Sequence, residues 1–82
     1  MHYVISCQHV IGVPTQVSFY GERPGDRGNS FGFNQLQAIR FINYGHALDA
    51  LWSTKRQTGN VYAILKWNSE SELYSAVYCQ IC

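Results

Sequence analysis

Cys79-Gln80-Ile81-Cys82 has the two-residue spacing of a zinc knuckle, and a closing strand laid beside the opening one would bring Cys7 or His9 near it. Zinc sites place that spacing in a tight turn that aims both sulfurs at the metal, whereas Cys79 falls inside a strand pattern. Cys7 and Cys79 therefore read as small buried apolar residues, and no metal is assigned. His46, Asp49 and Ser53 supply the residue types of a hydrolytic triad. Stacked on one helical face they lack an oxyanion hole, a buried orienting carboxylate and a cleft, so a solvated helix surface explains them better. Gly21, Gly25 and Gly28 invite comparison with a phosphate-cradling loop, yet no Gly-Lys-Ser/Thr follows and no helix begins there. No cofactor is implied, and an enzyme is the least favoured class.

The elements that must position these residues centre on Ala38 to Trp67. Ala38-Ile39-Arg40-Phe41 reads as a short strand, Asn43 to Gln57 as a helix, and Val61 to Trp67 as a strand. In the helix Tyr44, Ala47, Leu48 and Leu51 recur at three- and four-residue spacing, which makes one stripe apolar and leaves His46, Asp49, Ser53 and Arg56 outside it. Asn43 is placed to cap the first turn, with Ile42 and Ala47 at the positions of a hydrophobic staple. Lys55 and Arg56 suit the negative end of the helix dipole, and Gly59 suits a left-handed stop.

Before this unit, Tyr3, Ile5, Cys7 and His9 alternate with His2, Val4, Ser6 and Gln8 as an opening strand with one more apolar side. Gly12-Val13-Pro14 breaks it, and Thr15 to Tyr20 returns as its hairpin partner. Gly21 to Ser30 reads as an exposed loop; Phe31 to Leu36 is taken as extended, although Asn34 could cap a single helical turn. After it, Leu73 to Ile81 pairs with Val61 to Trp67 across the short polar link Asn68 to Glu72. Strict alternation places Leu73, Val77, Cys79 and Ile81 toward the helix, and Tyr74 and Tyr78, with Tyr62 or Trp67, on the face it leaves bare. The fold class is α+β: an antiparallel sheet of four or five strands with one helix on one face, in the order β-β-β-α-β-β, as one domain over residues 1–82.

At 82 residues, one core supplies only ~3–5 kcal/mol. Charged residues make up 13 % of the chain, against roughly 25 % in average soluble proteins. The formal net charge is +1, which provides neither the basic track of a phosphate binder nor the acidity of a DNA mimic. Direct nucleic-acid binding is disfavoured. The N-terminus lacks a signal-peptide pattern and no apolar run approaches a membrane span, so a cytoplasmic location without membrane attachment is expected. Three cysteines in a reducing compartment are expected as free thiols.

Six Tyr and two Trp exceed what so small a core can bury with every polar group satisfied. Tyr, Trp and Arg dominate interface hot spots, so Arg23, Arg27, Tyr62, Tyr74 and Tyr78 are the candidate partner contacts. The run Ala38 to Phe41, the polar cap Asn43, Ala47-Leu48 and Ala50-Leu51, then Val61-Tyr62-Ala63-Ile64 after a glycine, resembles small phage-encoded proteins of the anti-CRISPR and wider anti-defence kind, over roughly residues 36–67. The resemblance implies a protein that binds a host protein or ribonucleoprotein complex of a bacterial cell and blocks it sterically. Many proteins of that group are strongly acidic and this chain is not, which argues against DNA mimicry. Two alternatives use the same tyrosines: a small nucleic-acid-binding accessory protein, and a homodimeric structural module.

Overall fold

The computed structural model describes residues 1–9 and 17–82. Five strands, β1 (Tyr3–His9), β2 (Ser18–Glu22), β3 (Asn29–Phe33), β4 (Asn60–Asn68) and β5 (Leu73–Ile81), form one sheet in the order β3-β2-β1-β4-β5. Every neighbouring pair is antiparallel. A single α-helix, α1 (Tyr44–Ser53), and a 3₁₀ turn (Gln35–Gln37) connect β3 to β4, so the expected α+β class and element order hold.

β1 is the central strand, paired with β4 from Tyr3↔Lys66 to His9↔Asn60. Ile5, Cys7, Tyr20, Tyr62 and Ile64 pack with Ala47 and Leu51 of α1, and this is the main core. The helix buries the stripe its spacing requires, with His46, Asp49 and Ser53 exposed. On the opposite side Val4, Phe19 and Ala38 form a second buried cluster, with Leu65 and Tyr74 packed against it. β1 is therefore covered on both sides along Val4–Cys7, although its alternation suggested one apolar side.

Several expected boundaries move, each for a physical reason. β2 begins at Ser18 and continues through Gly21 and Glu22; Thr15, Gln16 and the Gly12–Pro14 break lie outside the described residues. Gly21 fits a strand because the Phe33 ring lies against its backbone: an added Cβ would stand 2.5 Å from Phe33 Cδ2. The exposed loop accordingly contracts to a turn in which the Arg23 N–H donates to the Gly28 carbonyl at 2.9 Å. Phe31 and Phe33 are extended in β3, whereas Asn34 caps the 3₁₀ turn, accepting from the Gln37 N–H at 3.0 Å while its own N–H donates to Gln37 Oε1.

Ala38–Phe41 is not a strand. Among the described residues, pairing of β1 with β2 spans Ser6 and Cys7, and Phe41 fills the edge at the start of β1 with one isolated bridge to Tyr3, through hydrogen bonds of 2.7 and 2.8 Å. Asn43 caps α1 as expected, accepting from the Gly45 and His46 N–H groups. The staple is not formed, because Ile42 is 86 % exposed. The helix ends at Ser53 rather than Gln57: the Ser53 and Thr54 hydroxyls donate back to the Asp49 and Ala50 carbonyls, and Thr54 turns extended. Lys55 and Arg56 thus lie past its end, though the Arg56 guanidinium still donates to the Leu51 carbonyl at 3.2 Å. Gly59, at φ +92°, serves the turn into β4 instead of the helix stop.

Candidate functional site: the outer face of β4 and β5

Directly paired antiparallel residues point to the same side of a sheet. Cys7↔Tyr62 and Ile5↔Ile64 therefore place Tyr62 and Ile64 beneath α1, and Tyr62↔Gln80 with Ile64↔Tyr78 carry that phase onto β5. The pairing then skips, since Leu65 faces Ala76 and Val77 is the extra residue of a bulge. Beyond it the phase is inverted. Tyr78 leans on the core under α1, whereas Tyr74 packs toward the opposite cluster of Val4, Phe19 and Ala38.

The tyrosines expected on one bare face are thus separated, and this corrects the alternation reading. Tyr62 is only 2 % exposed and offers a partner no surface. Leu73, Val77 and Ile81, expected against the helix, are 66, 44 and 79 % exposed, and Cys79 is exposed with them. Arg23 and Arg27 sit on the β2–β3 turn, where the Arg23 guanidinium donates to the Arg27 carbonyl. That turn joins the strands at the far side of the sheet from β5, across strand spacings of about 4.8 Å each. Of the five candidate contacts, only Tyr74 belongs to the open outer face.

Burial of Tyr62 is possible because its hydroxyl is satisfied. The Gln57 N–H and Asn60 Nδ2 donate to it at 2.9 and 3.3 Å. These groups line a half-open cleft of about 470 Å³ at the end of α1, with Tyr20, Phe31 and Lys55. Burial pushes the Cys7 thiol above its ordinary value of 9.0, opposed by the Tyr62 hydrogen bond and assisted by the nearby Cys82. Nearby, His9 Nδ1 lies 2.7 Å from Asn60 Oδ1. Cys, His and Asn are the residue types of a thiol hydrolase, but a thiol held protonated is a poor nucleophile. The tyrosine hydroxyl network was not visible in the sequence, since Gln57 lies in what reads as helix.

Cys79 faces outward while Cys82 packs on the main core, so their spacing does not converge on a metal. Among the described residues, no three His, Cys, Asp or Glu side chains do. No helix among them is long and apolar enough to cross a membrane.

What remains open is the outer face of the last hairpin. Its cross-strand pairs are Val61↔Ile81, Ala63↔Cys79, Leu65↔Ala76 and Trp67↔Tyr74. None is charged. Lys66, the one charge in the two strands, pairs with Tyr3 on the helix side. The β4 residues and Tyr74 are half-buried, and Ala76, Cys79 and Ile81 are exposed. From Val61 to Trp67 the strip runs about 20 Å, at ~3.3 Å per residue. Its aromatic end is built by His2, whose ring stacks on Trp67 at 5.9 Å and meets the Tyr74 edge at 5.5 Å. His2 Nε2 lies 2.6 Å from the Tyr74 hydroxyl. Burial, then Arg40 and the N-terminal ammonium, lower the His2 pKa below 6.5, which keeps the ring neutral near pH 7. Leu36, exposed, and Arg40 rim a hollow of about 220 Å³ beside these rings. Set beside known proteins, the chain matches no family model, no curated protein and no solved structure, so the reading of this face rests on its geometry.

Proposed function

We propose that the chain is a protein-binding module that docks through the outer face of β4 and β5 and acts by occlusion, without catalysis. One observation carries this reading: a two-strand sheet face with no charged side chain, left open beside a helix that covers only the other side. Depletion of charge with aromatic anchors is the composition of interface centres. Trp67, Tyr74 and His2 form such an anchor, and Val61, Ala63, Cys79 and Ile81 extend it with smaller groups. The partner class implied by the anti-defence resemblance is a host protein or ribonucleoprotein complex in the bacterial cytoplasm, blocked sterically. Arg23 and Arg27 become a separate, secondary contact on the opposite hairpin.

Affinity capture from a bacterial lysate tests this reading with one lesion and one control. Ala76→Lys puts a charge in the middle of the face at an exposed position; it is expected to reduce capture at least tenfold, a loss of about 1.4 kcal/mol. Asp49→Ala on the exposed helix surface is expected to leave capture unchanged. Equal capture by the wild type and Ala76→Lys, with circular dichroism unchanged, would show that the face is not the contact.

A further inference from the structure

We infer that β5 closes its open edge against β5 of a second copy, joining two sheets into one continuous antiparallel sheet. The two edges of the sheet differ. β3 is short, Asn29–Phe33, is flanked by Gly28 at φ +83°, contains Gly32 at φ +125°, and lies opposite a register shift at Phe19/Tyr20. Such irregularity discourages another strand. β5 runs nine residues, Leu73–Ile81, with no proline, no glycine and no charge. The one edge-protecting device on it is the bulge at Val77, which leaves Tyr78–Cys82 as the regular run of that edge.

Its hydrogen-bonding groups are arranged to receive a strand. The Cys82 N–H donates to the Asn60 carbonyl at 3.0 Å, and the Cys82 carbonyl accepts from the Gly59 N–H at 2.8 Å. Main-chain direction alternates along a strand, so the N–H and C=O groups of Cys79 and Ile81 point away from β4. Their side chains are exposed on the outer face, so an incoming strand gains main-chain and apolar contacts from the same residues.

The occupant is a second copy because the edge complements itself. A two-fold axis through Gln80 sets Cys79 of one copy against Ile81 of the other, an isologous contact that stays within the regular run beyond the bulge. No like charges meet across it, and the formal net charge of +1 per chain opposes approach only weakly. The outer faces of the two hairpins then run on as one wider apolar strip. The inference does not depend on what docks there: a single-chain mass removes the pairing and leaves the docking face, whereas failed capture does the reverse.

Light scattering on the eluting protein at about 100 µM, where a Kd of about 10 µM leaves most chains paired, is expected to give twice the 9.3 kDa of the chain. Hydrogen exchange at the Cys79 amide, which makes no bond to β4, is expected to be slowed about fivefold relative to a monomeric variant at that concentration, the limit set by the roughly one-fifth of chains left unpaired. Cys79→Pro removes that outward N–H while sparing the β4 ladder, and Ile81→Lys adds the charge that edges usually carry; both are expected to weaken pairing more than tenfold. A single-chain mass for the wild type, unprotected exchange at Cys79 in a paired species, or undiminished pairing of Ile81→Lys would each overturn the inference.

Discussion

The Tyr62 hydroxyl is the junction of the buried polar groups, accepting from Gln57 and Asn60 beside the Cys7 thiol. Removing it strands two donors at the mouth of the cleft. Tyr62→Phe is expected to lower stability by about 1–2 kcal/mol, read as a lower urea midpoint. The thiol beneath it couples the fold to alkaline pH. Because burial raises the folded-state pKa of Cys7, its contribution is fully present below the ordinary value of 9.0 and is lost as pH rises through the folded value. Urea midpoints between about pH 8 and about pH 10.5 are expected to fall more steeply for the wild type than for Cys7→Ala. Side-chain type alone showed that the tyrosines were in surplus. Which of them would be covered was hidden, because it depends on Tyr62 finding donors from Gln57 and Asn60 at the entry to β4.

At the scale of elements, α1 shows which local patterns decide and which do not. Leu51 lies in the stripe and is fully buried, whereas Ile42 occupies a staple position in the sequence and stays in solvent. Leu51→Ala is expected to cost ~2.7–5 kcal/mol, comparable with the ~3–5 kcal/mol available to a domain of this size, so its far-ultraviolet dichroism should show a largely unfolded chain at room temperature. Ile42→Ala is expected to stay within about 0.5 kcal/mol of wild type. The spacing of Tyr44, Ala47, Leu48 and Leu51 made the helix face legible; the period of two located β4 and β5 as strands but not which side each row would face, because of the bulge at Val77 and the burial of Tyr62. The end of α1 was not legible, because the Ser53 and Thr54 hydroxyls compete for its last carbonyls. Ala38–Phe41 has strand-like residues but no vacant edge longer than the bridge to Tyr3, and edge vacancy is a property of the whole sheet.

For the whole molecule, the asymmetry of covering matters more than the number of rings. α1 covers one side, Ala38 closes against Val4 and Phe19 on the other, and the last hairpin keeps its outer face open. That an open face would exist was legible from one helix over one sheet; that it would be mostly aliphatic, with aromatics gathered at the His2 end, was not. A contact made by such a face owes little to long-range charge. Affinity for a partner docked on it is expected to change less than about threefold between about 0.05 and about 0.5 M salt, measured by titration calorimetry. A loss above tenfold over that range would move the principal contact to Arg23 and Arg27.

The bulge at Val77 also bears on how this molecule can vary. Loss of Val77 would make Ile64↔Tyr78 and Leu65↔Ala76 successive pairs and leave every other residue of the strand on its present face. The bulge is thus the one place in β5 where the chain can lose a codon without turning either face over.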